Sequence, residues 1–88
     1  MDVMAVKRIR EQVEAIKRIV IKEGGEATSA RIRHKARILS ELSETDILEL
    51  VKLIPELEVE ERRLHPLDPA TRYYVIRLKA EYEAPSRS

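Results

Sequence analysis

Val6, Ile9, Val13, Ile16 and Val20 recur at spacings of 3, 4, 3 and 4 residues. At about 100° per residue this is one narrow apolar stripe, and it predicts a helix over residues 2–23. Lys7, Arg8, Arg10, Glu11, Glu14, Lys17 and Arg18 fall on the other side. Arg10–Glu14 and Glu14–Arg18 are opposite charges four residues apart, each worth about 0.2–0.5 kcal/mol on a helix. The stripe spans two heptads, so it reads first as a core face. The same spacing also suits a seam between two copies, making a homodimer through this helix the alternative. Gly24-Gly25 ends the helix, because glycine accepts the left-handed backbone that follows a helix C-terminus.

Glu26-Ala27-Thr28 leaves room for a brief strand, and Thr28 or Ser29 can cap the next helix. In residues 29–42, Ile32, Ala36 and Leu39 share a face, with Leu42 near it. Arg33, His34 and Arg37 project away from that face, with Arg31 and Lys35 beside them. This second helix is expected to have an apolar side and a basic side. A break follows within residues 40–43. Ser43 then reads as an N-cap, with Glu44, Thr45 and Asp46 in the first turn and Asp46 in the reciprocal capping position. Ile47, Leu50, Val51 and Ile54 form the core stripe of a third helix, and Thr45, Leu48, Glu49 and Lys52 face outward. Pro55 stops it, because the residue before proline avoids helical backbone.

Beyond residue 56 the period changes to two. Leu57 and Val59 alternate with Glu58 and Glu60, predicting a strand over 57–64 with a slip or bulge near its end. His65-Pro66-Leu67-Asp68-Pro69-Ala70-Thr71 is a loop with two prolines. Over residues 72–80, Tyr74, Ile76, Leu78 and Ala80 alternate with Tyr73, Val75, Arg77 and Lys79, predicting the second strand of a hairpin. If that strand lies at a sheet edge it needs protection. Residues 83–88 are expected to be a disordered tail. Length bounds the whole: 88 residues suit one domain, read here as residues 1–82.

Composition narrows the chemistry. There is no cysteine, which excludes disulfides, thiolate metal sites and cysteine nucleophiles. His34 and His65 are the only histidines and lie in different elements, so no metal site is expected. No phosphate-cradling glycine loop is present, and Ser29, Ser40 and Ser43 are better explained as caps than as nucleophiles. An enzyme is not expected, and no cofactor. No apolar run reaches the roughly 18–20 residues that cross a bilayer, and the charged N-terminus lacks the apolar core of a signal peptide, so a cytoplasmic protein is the simple reading. Arg outnumbers Lys 11 to 6, Asn is absent and Gln12 is the sole Gln, a balance that fits a thermophilic source.

The net charge of +1 conceals a split. Residues 1–43 carry 10 basic and 6 acidic side chains, 44–61 carry 1 and 7, and 62–88 carry 6 and 3. Such a chain can present a basic face without a high overall pI. Equally, the acidic segment can neutralise the basic ones across the fold.

The order helix, brief connector, helix, tight turn, helix and long hairpin, with the entry Gly24-Gly25-Glu26-Ala27-Thr28-Ser29 and the loop at 65–71, resembles the winged-helix family over roughly residues 5–80. The resemblance implies an α+β fold of three helices with a C-terminal β-hairpin wing. It also implies double-stranded DNA as the partner and a transcriptional regulator as the function, with the third helix in the major groove. Here that helix is Ser43-Glu-Thr-Asp-Ile-Leu-Glu-Leu-Val-Lys-Leu-Ile-Pro-Glu56. Base edges are read by Arg, Lys, Asn or Gln, and acids repel phosphate. Phosphate contacts are therefore assigned to Arg31, Arg33, His34, Lys35 and Arg37 of the second helix, with Lys52 of the third and Arg72 at the wing base. Such contacts set affinity and salt dependence but carry no sequence code. The alternative is a protein-interaction module that uses Leu48 and Glu49 on the third helix.

Overall fold

The computed structural model describes residues 3–80. Helix α1, Val3–Lys22, realises the 3-4 stripe, and its apolar face decides where the body of the protein sits. Ile16 and Val20 are fully buried, but Ile9 is 43% exposed, Val6 36% and Val3 77%. At 1.5 Å per residue the helix is about 30 Å long. Its second half lies against the core, while its first half carries the same stripe past it. The helix closes as expected. Gly25 N–H donates to the Val20 carbonyl (2.9 Å) and Gly24 N–H to Ile21 (3.1 Å). Both glycines have positive φ, +96° and +107°, the left-handed cap that L side chains resist.

Strand β1, Glu26–Thr28, follows at once. Thr28 caps helix α2, Ser29–Lys35, by accepting the Arg31 amide at 3.1 Å. The second helix is not continuous over 29–42. Ala36 takes an extended backbone (φ −137°, ψ 133°), and a separate short helix α3 runs from Arg37–Ser40. The described residues therefore hold four α-helices rather than three. Ile32 on α2 and Leu39 on α3 are both fully buried. Alanine is the strongest helix former, so the break at Ala36 runs against local propensity and sits between these two packed anchors.

Helix α4, Glu44–Val51, opens with the capping box read from the sequence: Asp46 N–H to Ser43 Oγ (3.1 Å) and Ser43 N–H to Asp46 Oδ2 (3.3 Å). Ile47, Val51 and Ile54 close the core over Ile16, Ile32 and Leu39. Strands β2, Leu57–Arg63, and β3, Arg72–Leu78, form an antiparallel pair in which Val59 faces Ile76 and Arg63 faces Arg72. Hydrogen bonds close the connecting loop, with Leu64 N–H donating to the Thr71 carbonyl at 3.2 Å. Asp68 caps a 3-10 turn at Pro69–Thr71, and the Thr71 hydroxyl donates to the Asp68 carbonyl at 2.8 Å.

The sheet order is β1-β3-β2, so β3 is the central strand and not an edge. Its Val75 and Ile76 are both buried, which only a strand covered on two faces allows. One face meets the helices through Ala27, Leu57 and Ile76. The other is an ionic lattice. Arg77 reaches Glu58 (2.9 Å) and Glu60 (3.1 Å), and Arg62 reaches Glu60 (3.1 Å) and Glu26 (3.5 Å). Hydrogen bonds from Arg62 hold the Glu60 carboxyl below its ordinary pKa, and those to Glu58 raise that of Arg77. The architecture is α+β and is compatible with the winged-helix-like arrangement expected above. The tail at 83–88 lies outside the described residues.

Candidate nucleic-acid interface

Helix α2 does not present its cations on one face. At 100° per residue, Ser29 and Arg33 share one flank and Arg31 and Lys35 the other. The first flank is turned toward α4: the buried Ser29 hydroxyl donates to Glu44 Oε1 at 2.7 Å. Arg33 lies one turn along from Ser29, half-buried, and its Nε is enclosed with no hydrogen-bond partner. His34 points between the flanks, exposed, and Arg37 is exposed at the start of α3.

The second flank meets the end of α1. Glu23 accepts Arg31 Nε at 2.6 Å through one carboxylate oxygen and lies 3.6 Å from Lys35 Nζ through the other. The Glu23 side chain is 21% exposed, against 55% for Arg31 and 45% for Lys35, so the acid lies beneath the two cations. The Arg31 hydrogen bond, with the neighbouring charges, holds the Glu23 carboxyl below its ordinary pKa. Between α1 and α2 runs a shallow cleft of about 290 Å³. Ala15, Ile19 and Ala36 form its apolar lining, and Arg18, Lys22, Lys35 and Glu23 its charged one.

The remaining assigned cations are scattered. Lys52 on the outer side of α4 is tied to Glu49 at 2.8 Å. Arg72 is exposed at the far end of the hairpin, opposite Arg63, which is itself held by Glu61 (3.6 Å) and the Pro66 carbonyl (3.3 Å). Among the described residues, Lys7, Arg10, Arg18, Lys22, Arg33, Arg37, Arg72 and Lys79 make no ion pair with an acid, and neither does His34. Arg18 and Lys22 were not singled out by sequence reasoning. The available signal was their one-turn spacing at the end of α1, just before the glycine turn that folds α2 back beside them.

The outward side of α4 is acidic and apolar: Glu44, Asp46 and Glu49 are exposed, Leu48 is half-buried against the core, and Leu53 just beyond is 63% exposed. Among the described residues no group of three or more His, Asp or Glu side chains converges as metal ligands, and no helix is long and apolar enough to cross a membrane. No protein-family model, curated protein or solved structure matches the chain.

Proposed function

We propose that this protein is a winged-helix DNA-binding domain, a transcriptional regulator that holds duplex DNA by its phosphates. The observation that carries the reading is the distribution of unpaired charge. The hairpin lattice and α4 pair most of their cations internally, whereas Arg33 and Arg37 on α2 and α3 keep theirs free, with Arg72 at the wing and His34 exposed beside them. Phosphate contacts of this kind fix position on the duplex, and the acidic α4 adds no base-reading donors. The test is fluorescence anisotropy with a labelled duplex over a salt series. Arg33→Glu with Arg37→Glu is expected to abolish binding at low salt while the circular dichroism spectrum stays unchanged. Unchanged binding in the double variant removes this mechanism.

A second reading has its own observation. Leu53, exposed two residues past the end of α4 and next to Lys52, fits a protein partner. Leu53→Glu tests this more cleanly than Leu48→Glu, because Leu48 also packs against the core. Loss of a partner complex in Leu53→Glu, with duplex binding intact, favours the interaction module.

A further inference from the structure

The ion pairs around Glu23 look like neutralisation, but their stoichiometry and depth say otherwise. One carboxylate, the least exposed of the three groups, holds two more exposed cations. Arg31 makes its hydrogen bond to Glu23 through Nε. Lys35 Nζ stands 3.6 Å from the other Glu23 oxygen, an ion pair longer than a hydrogen bond. Across the cleft, Arg18 and Lys22 spend none on an acid. The cleft and its margin thus carry four cations and one acid around a small apolar floor. Oriented cations lose less side-chain entropy when an anion arrives than free ones do.

We infer that the cleft between α1 and α2 seats a phosphodiester strand of duplex DNA, with Arg18, Lys22, Arg31 and Lys35 as contacts and Glu23 as the positioning residue beneath them. This rests on the DNA-binding reading and adds a backbone contact on the α1 side of α2 to those of Arg33, Arg37 and Arg72. It also accounts for an acid in the middle of a basic surface. Glu23 is there to aim Arg31 and Lys35.

Anisotropy titrations of the full chain on one short duplex, across salt, separate the possibilities. Arg18→Glu with Lys22→Glu is expected to lower the log–log salt slope by about 1.8, two contacts at about 0.9 each. The neutral pair Arg18→Gln with Lys22→Gln lowers it by the same amount without added repulsion. Both sites are exposed, and thermal unfolding of each variant confirms the fold. Glu23→Gln gives the sharper test. A neutralising role predicts tighter binding, because a negative charge is removed. A positioning role predicts weaker binding, because Arg31 and Lys35 are released. An unchanged slope in the Arg18/Lys22 variants, with binding lost in the Arg33/Arg37 variant, overturns this inference and leaves the proposed function standing. Absence of duplex binding by the wild-type protein overturns both. Polyglutamate that binds more tightly than the duplex at equal salt, with the same Arg18/Lys22 dependence, makes the cleft a site for acidic peptide and overturns the inference too.

Discussion

Arg33→Met separates stability from function at a single position. The Arg33 Nε is enclosed and unpaired, while the side chain as a whole is half-buried. An unsatisfied buried donor costs about 1–3 kcal/mol. Methionine keeps an unbranched stem of similar reach against α4 and removes the donor. Taking the low end, because the rest of the guanidinium retains its hydration, the substitution should stabilise the domain by about 1 kcal/mol. For a domain of this size that raises Tm by about 4–8 °C. Arg33→Ala serves as the control: it removes donor and stem together, so lost packing offsets the gain. On duplex DNA, Arg33→Met should lower the salt slope by about 0.9, one phosphate contact. A more stable protein that binds DNA less well identifies a residue retained for function at a cost to the fold. The assay is thermal unfolding by circular dichroism beside anisotropy. A Tm that falls by several degrees refutes the reasoning, because it means Arg33 makes a structural bond that its enclosure conceals.

Ser43→Ala removes one side of the capping box on an eight-residue helix and should cost about 1 kcal/mol, with Ser43→Gly costing only a few tenths, both read from urea midpoints. The carboxyls of Glu23, Glu56 and Glu60 titrate below their ordinary 4.5 in the folded protein, held by Arg31, by the residue's own backbone amide together with Lys17, and by Arg62 respectively. Lowered folded values mean the unfolded chain binds protons more readily. Their contribution to stability is thus present above about pH 4.5 and is lost as pH falls through the folded values. A urea midpoint that stays constant on acidification through that range contradicts the pairing. The uncovered first half of α1 supports a homodimer, so the wild type should sediment as a dimer and Ile9→Glu as a monomer. A wild-type monomer at high concentration ends that proposal.

Much of this architecture was legible because it is periodic or punctuated. The 3-4 stripe located α1, Gly24-Gly25 its end, Ser43 the start of α4, and the period-two alternation with His65–Thr71 the hairpin. The break at Ala36 left no trace, since neither glycine nor proline marks it and only the packing of Ile32 and Leu39 requires it. Periodicity also reports a stripe without the length of the body that covers it, so Val6 and Ile9 read as core although they project beyond it. Pairing across the fold was equally hidden. Arg31 and Lys35 are eight and twelve residues from Glu23 and meet it only because the glycine turn reverses the chain. The basic side of the second helix was thereby split into two flanks, and Arg18 and Lys22 joined one of them.

The order β1-β3-β2 leaves the seven residues of β2 with one open margin, and three of those residues, Glu58, Glu60 and Glu61, are acids. A second copy extending the sheet there in antiparallel register about Glu60 would set Glu60 against Glu60, but Glu58 against Arg62. With Arg62 and Arg63 on the same strand, charge along this margin does not by itself bar two hairpins from pairing edge to edge.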